Sequence, residues 1–466
     1  MPTSRPSPWQ RPAPPAPRRA LRRRPRERGV ATLVIVMLLF FVVALTAAYA
    51  ARNLVFEQRT AANQLRSTQA FEAAEAGAEW ALALLNAGRI DDACRPVGGA
   101  GSGPLPNPPP PSFRERYLSV SAADGMVGVR SRSDGGVLGA GCVLDASGAS
   151  PVWRCSCPSD GLPALAAPGA VGAGPAFRVR FAAVPTRPGV VRIDVNGCTR
   201  LDEACLAFPS QAVDGDSRVR VAVLAALKSG LVTPPSAAVT VQGRLGGAAT
   251  LEAYNPDAAS GGLALHAGAG ADGPPAVLAG PAGTPADLAQ LLADPAMAAL
   301  PPERMFISAH GMWRRTWAEQ PATLRIDCRG ACTRAALAEA ARLNPGRMLW
   351  VAGDVVLDTS GDIGARDAPA LLVVDGNLST QPGAEVRLYG LLHFVNANGA
   401  AGWSVGGRLS VVGGLVSEGD WTLAGPGRTV VAYDAAILRQ LRLSHGSFVR
   451  VPGSWRDFER TIGELR

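Results

Sequence analysis

Residues 30–86 read VATLVIVMLLFFVVALTAAYAARNLVFEQRTAANQLRSTQAFEAAEAGAEWALALLN. Residues 30–51 carry no charge, and a helix of that length, about 33 Å, spans a bilayer. No turn signal follows. Val30 to Asn86 contains no proline, and its only glycine is Gly77. Phe71, Ala74, Ala78, Leu82 and Leu85 recur at helical spacing, while Glu72, Glu75 and Glu79 occupy a neighbouring face. The pattern predicts one unbroken helix of about 57 residues, roughly 85 Å long, transmembrane in its first half and a stalk in its second.

The charge of the chain is a property of what precedes this helix. The sequence has 466 residues, 46 basic and 38 acidic, for a net charge of +8. Nine arginines and a single acid, Glu27, lie in the Pro/Arg-rich leader 1–29, so the chain from residue 30 onward is balanced. A nucleic-acid binder carries its basic charge on the folded domain, so no nucleic-acid partner is expected. Arginines ahead of an apolar span predict a cytoplasmic N-terminus and a body on the far side of the membrane. Ala48-Tyr49-Ala50 would suit cleavage of a secretory signal. A plain signal anchor is a second reading. Cleavage at Gly29 with the helix retained is a third, and the long helical extension beyond residue 51 favours it, since a signal peptide has no need of a stalk.

Arg28-Gly29 followed by Val30-Ala31-Thr32-Leu33 and an apolar helix resembles the processing site and stalk of type IV pilins and pseudopilins. The run Gln69-Ala70-Phe71-Glu72-Ala73-Ala74-Glu75-Ala76-Gly77 is similar to the PilX-type minor pilins. The resemblance implies cutting by a prepilin peptidase between Gly29 and Val30, and packing of the helix among other minor pilins and the major pilin. Two residues depart from the pattern. Valine stands where pilins usually begin with phenylalanine or methionine. Val34 stands at the fifth position, where most pilins carry a glutamate that pairs with a neighbouring subunit's N-terminal amine. A subunit lacking that carboxylate has no docking charge to offer, which places it at the fibre tip or in the initiating complex, with a tip adhesin as a further expected partner.

Beyond the helix (30–88), a Pro/Gly linker (89–112) leads to a β-rich domain (113–230), an Ala/Gly/Pro-rich connecting region (231–347) and a Gly-punctuated β-rung domain with a tail (348–466). In 113–228 the pattern predicts short strands, RERYLSVSA among them. Alternation in Phe177-Arg178-Val179-Arg180-Phe181 and Val219-Arg220-Val221-Ala222-Val223 predicts sheets with one wet face. A helix is expected near Pro285 to Leu292 and another from Ala435 to Leu443. VAGDVVLD, VVDGNLST and VVGGLVSEG suggest stacked parallel rungs, with a sandwich as the alternative. The fold class is therefore α+β: a long transmembrane stalk helix, then a disulfide-containing, mostly β head ending in a solenoid-like or sandwich region. The rungs and the closing Trp455-Arg456-Asp457-Phe458 also resemble the C-terminal portion of large PilX-like proteins.

All eight cysteines, at 94, 142, 155, 157, 198, 205, 328 and 332, follow the membrane segment, as disulfides formed in an oxidising periplasm would. Cys198 with Cys205 and Cys328 with Cys332 are close enough in sequence to join locally. Cys142 is left with Cys155 or Cys157, and Cys94 with the other.

No other motif points to chemistry. Gly268-Ala269-Gly270-Ala271-Asp272-Gly273 matches a dinucleotide fingerprint in letters, but Pro274-Pro275 forbids the helix it needs. His266, His310, His393 and His445 stand in unrelated segments. Asp354, Asp358, Asp375 and Asp420 recur at rung turns without calcium-loop spacing, and Trp350, Trp403, Trp421 and Trp455 suit core packing better than carbohydrate binding. No catalysis and no cofactor or metal is expected. The sequence reads as a minor pilin acting in pilus assembly, anchored in the inner membrane with a periplasmic head and exposed outside the cell after assembly. A membrane-anchored or secreted β-rich adhesin is the alternative.

Overall fold

The computed structural model describes residues 30–98, 106–166, 174–209, 217–395 and 400–457. The expectations for the leader 1–29 with Gly29, for linker residues 99–105 and for Phe458 lie outside the described residues. Val30–Leu85 is one helix. Contacts divide the chain into two units, Met1–Asn63 and Gln64–Arg466.

In the first unit the helix runs without interruption, and every residue from Ala31 to Asn63 is exposed. Two of its threonines bond carbonyls of the preceding turn, which suits a helix in an apolar medium. The Thr46 hydroxyl donates to the carbonyls of Val42 (3.0 Å) and Val43 (2.9 Å), and Thr60 donates to that of Phe56 (2.9 Å).

In the second unit the same helix becomes amphipathic. Ala70, Ala73, Ala74, Ala78, Ala81 and Leu85 are buried, while Glu72, Glu75 and Glu79 remain exposed. The buried stripe lies on a six-stranded antiparallel sheet whose strands run, in spatial order, Gly446–Arg450, Arg218–Ser229, Val190–Cys198, Ala176–Ala183, Gly139–Asp145 and Val152–Ser156. Small residues set the approach. A Cβ on Gly77 would sit 2.7 Å from Val195 Cγ1 and 2.8 Å from the Phe177 ring, and one on Gly197 would collide with the helix backbone at Ala70 and Ala74. Phe177, Val179, Phe181, Ile193, Val195, Val221 and Val223 fill the space between.

Two local expectations for this region change. The stretch RERYLSVSA is not all strand, because Phe113–Tyr117 is helical and the strand begins at Leu118. Ser112 and Glu115 form a reciprocal capping box, Ser112 Oγ accepting from the Glu115 amide at 3.3 Å and Glu115 Oε2 from the Ser112 amide at 2.8 Å. The second face of the sheet is only partly wet: Arg178 is 5 % exposed, Asp194 0 % and Asn196 2 %, while Arg180, Arg192 and Arg220 keep partial exposure. The segment after Cys198 folds over that face, and Arg178 pairs there with Glu203 at 2.7 Å. Asp194 faces Arg192 at 3.1 Å and Arg180 and Arg220 at 3.4 Å each. Alternation predicts two faces with different partners; what covers each face is a tertiary matter.

From Val239 to Tyr433 the strands pair in parallel register, which is the solenoid-like arrangement and not a sandwich. One wall stacks Thr323–Thr333, Met348–Leu357, Ala370–Asp375, Glu385–Phe394, Arg408–Ser417 and Arg428–Tyr433. Inward residues meet in register, as Leu349↔Leu372↔Leu392↔Leu415 does. The stack then continues with strands that precede it in the chain: Leu251–Tyr254 pairs with Arg428–Tyr433, Val239–Val241 with Arg408–Ser417, and Leu245–Gly246 with Asp420–Ala424. Segments 231–347 and 348–466 thus contribute to one sheet. The helix expected near Pro285 to Leu292 is absent. Pro285 and Ala286 open turns, with Leu288 N bonded to Pro285 O at 3.1 Å, and Gln290–Leu291 instead pairs with Leu265–His266. Helical propensity there yields to backbone groups that the neighbouring coil leaves unpaired. Residues Ala435–Ser444 are helical. Asp354 and Asp420 brace neighbouring coils, Asp354 Oδ1 accepting from Asn377 N at 2.8 Å and Asp420 Oδ1 from Arg244 N at 2.7 Å. Trp403 and Trp421 are buried edge to face, 4.9 Å apart.

Gly197→Val should lower the unfolding midpoint of the Gln64–Arg466 unit, at a cost of about 1–3 kcal/mol from overpacking against the helix backbone. Val152→Ala on an exposed edge position should leave the midpoint unchanged, and parallel thermal melts compare the two.

Candidate functional site

A feature without an internal role is the exposed apolar helix surface up to Ala51. Leu33, Val34, Ile35, Val36, Met37, Leu38, Leu39, Phe40 and Phe41 are all at least 49 % exposed, and Phe40 reaches 75 %. A contiguous apolar surface of this kind requires lipid or other helices around it. By length and composition it is sufficient to cross a membrane. Val34 lies on this surface with no carboxylate within the apolar stretch, since the first acid after residue 30 is Glu57. Val30 opens the helix; its partner in the expected cleavage, Gly29, is outside the described residues.

At the other end the helix is fixed by a buried arginine. The last carbonyls of a helix lack internal donors. Arg114 supplies them: its Nε donates to Leu85 O, Nη2 to Asn86 Oδ1 (3.1 Å) and Gly446 O (2.6 Å), and Nη1 to Gly346 O (3.2 Å). Asn86 extends the junction, its Nδ2 donating to Leu82 O at 3.0 Å and Phe448 O at 2.8 Å while Oδ1 accepts from Phe448 N at 2.8 Å. The guanidinium lies 4.9 Å from the Phe448 ring centre. Burial, with the charge of Arg347 as a smaller cause, lowers its pKa to about 9. Carbonyl dipoles, including those of the helix C-terminus, balance its charge in place of a carboxylate.

The eight cysteines form four disulfides: Cys94–Cys157, Cys142–Cys155, Cys198–Cys205 and Cys328–Cys332. Cys94–Cys157 ties the segment after the helix to the head. Asp202 caps Glu203–Leu206 by accepting from the Cys205 amide at 2.9 Å, which turns Cys205 back toward Cys198.

The histidines do not all stand alone. His310 Nε2 and His393 Nδ1 are 2.8 Å apart in the solenoid core, both side chains fully buried. His266 faces Asp294 at 2.9 Å, and His445 Nε2 faces Pro369 O at 2.9 Å. Nothing in the sequence signals the His310–His393 contact, since 83 residues separate them. Among the described residues, no group of three or more His, Cys, Asp or Glu side chains is placed to hold a metal ion.

The family model described as PilX N-terminal matches residues 28–79. The N-terminal segment is PilX-like. The matched stretch contains the whole exposed apolar surface and most of the stripe that lies on the sheet. The crystal structure of the competence-associated pilin ComZ from Thermus thermophilus is similar at 13 % identity, with 84 % of this chain and 97 % of that chain covered and a TM-score of 0.19. No relative among curated proteins matches the sequence.

Arg114→Met should destabilise the Gln64–Arg466 unit by roughly 3 kcal/mol or more, because several buried carbonyls lose their donor together. Arg114→Lys should recover only part, since an ammonium cannot span the fork. Denaturant unfolding of the three proteins in detergent reads both effects.

Proposed function

We propose that this protein is a minor pilin acting in type IV pilus assembly, at the initiating complex or the fibre tip. The observation that carries the reading is Val34: the fifth position after the proposed cut is apolar on a fully exposed apolar helix. Most pilins carry there a glutamate that pairs with a neighbour's N-terminal amine. A buried carboxylate in an apolar medium is costly without that partner. This chain avoids the cost and gives up the docking charge, a combination suited to a subunit that starts or ends a fibre. A bulky solenoid head favours the same position, because it would crowd a repeated lattice.

In this reading the precursor enters the inner membrane with its leader inside, guided by the nine leader arginines. A prepilin peptidase cuts between Gly29 and Val30. The helix from Val30 to about Tyr49 holds the protein in the bilayer and later packs among the helices of other minor pilins and the major pilin. In this reading the head lies in the periplasm, an oxidising compartment in keeping with its disulfides, and after assembly it lies outside the cell, where it presents a tip adhesin. The role is structural rather than catalytic.

N-terminal sequencing of the mature protein should begin at Val30; a start at Ala51 means secretory cleavage and supports a secreted β-rich adhesin instead. Gly29→Ala should accumulate precursor in the membrane fraction. Val34→Glu should raise the amount of the protein recovered in sheared fibres relative to the major pilin, and an unchanged ratio would count against a position set by the missing carboxylate.

A further inference from the structure

The buried histidine pair belongs to a longer polar chain whose hydrogen bonds have a fixed direction. At one end is the carbonyl of Gly230, which faces His310 Nδ1 at 2.5 Å and Trp317 Nε1 at 3.2 Å. A carbonyl only accepts, so His310 carries its proton on Nδ1. Burial, and secondly the charge of His393, hold His310 well below its usual pKa, while the Gly230 carbonyl opposes the shift. His310 is therefore neutral, and its Nε2 is a bare lone pair. His393 Nδ1, 2.8 Å from that lone pair, must donate to it.

His393 Nδ1 thus holds a proton regardless of the other ring nitrogen. That nitrogen, Nε2, lies 3.2 Å from Glu418 Oε1, and these two buried atoms make no hydrogen bond to any other group. Glu418 is 2 % exposed, and its second oxygen accepts from Arg314 Nη2. Burial pushes the Glu418 carboxyl up, but His393 and Arg314 outweigh it and hold the group below its usual range. A neutral His393 would then set a buried nitrogen lone pair beside an ionised carboxylate, with neither able to donate.

We infer that the folded solenoid retains one extra proton on His393 Nε2, beside Glu418, and that this proton latches the helices Arg304–His310 and Arg314–Ala318 onto the solenoid wall. Both helices supply members of the chain, His310 from the first and Arg314 from the second, and the wall supplies His393 and Glu418. The remaining neighbours bring no competing charge: His393 pairs in the sheet with Val373 and Val416, Phe306 and Trp317 pack on the His310 ring, and the 229–231 turn offers only the Gly230 carbonyl. The other charged group nearby, Glu303, accepts from the backbone amide of Arg314 at 3.4 Å.

The latch has two pH limits. On the alkaline side, losing the proton leaves His393 and Glu418 as facing acceptors, so the stability it contributes is present while the site is protonated and falls as pH rises. On the acid side, protonating His310 removes the acceptor that His393 needs. Because His310 binds its proton more weakly when folded than when unfolded, that contribution falls as pH drops.

The test uses the full-length protein, labelled with ¹⁵N-histidine, in lipid bilayers. The chain has four histidines, so four pairs of ring-nitrogen signals are expected, assigned with His266→Gln and His393→Asn. At neutral pH, His393 should show both nitrogens protonated and His310 a proton on Nδ1 alone. A bare nitrogen on His393 would overturn the proposal, and this measurement requires no Glu418 variant. Amide hydrogen exchange over residues 304–318, corrected for intrinsic rates, should accelerate by up to about tenfold per pH unit as the proton leaves, the dependence expected for one linked proton. Glu418→Gln can donate its amide to a neutral His393 and should abolish that dependence. Equal pH dependence in the variant and the parent protein would overturn the latch.

Discussion

Arg114 in the turn of helix after the linker is the interaction on which the second unit depends. A helix that ends inside a protein must find donors for its last carbonyls. Here one guanidinium serves Leu85 at the helix end, Gly446 at the start of the last strand and Gly346 before the solenoid strand Met348–Leu357. Asn86 closes the same junction by bonding both the amide and the carbonyl of Phe448. The helix, the six-stranded sheet and the solenoid therefore share one desolvated point. A buried charge surrounded by carbonyls tolerates little displacement, because any gap leaves either the charge or an acceptor unpaired.

The helix reaches that point only because the sheet lets it approach. Gly77 and Gly197 remove the side chains that would hold helix and sheet apart, and Ala70, Ala74 and Ala78 keep the contact close. The same helix thus has two solvents. From Val30 to Ala51 it carries no charge on any side, as a helix in lipid or among other helices does. From Ala70 onward a stripe of small residues meets one protein surface. The PilX-type segment spans both regimes.

The solenoid places its polar interior where the two short helices cover the wall. Parallel coils bury a ladder of aliphatic side chains, and Gly230, His310, His393, Glu418 and Arg314 interrupt it. Each donor in that chain has a fixed sense, so the proton count follows from connectivity more than from any single distance.

Much of this was legible in the residues. The uncharged run 30–51, the absence of proline to Asn86 and the 3.6-residue pattern of Phe71, Ala74, Ala78, Leu82 and Leu85 determine the helix, because helical periodicity is local. The position of all eight cysteines after the membrane segment and the Gly-punctuated rungs after Met348 are local signals too. The pairing choice at Cys94, Cys142, Cys155 and Cys157 was open in the sequence and required three dimensions. So did the order of the solenoid, in which Leu251–Tyr254 stacks beyond Arg428–Tyr433, and the loss of the helix expected at Pro285 to Leu292. Arg114 meets Gly446 across 332 residues and His310 meets His393 across 83. Sequence alone determined the long helix and its membrane-ready stretch, since periodicity and charge depend on neighbours along the chain. Which segments touch was decided only by tertiary structure, because buried polar groups choose partners by position in space and carry no periodic signal that announces them.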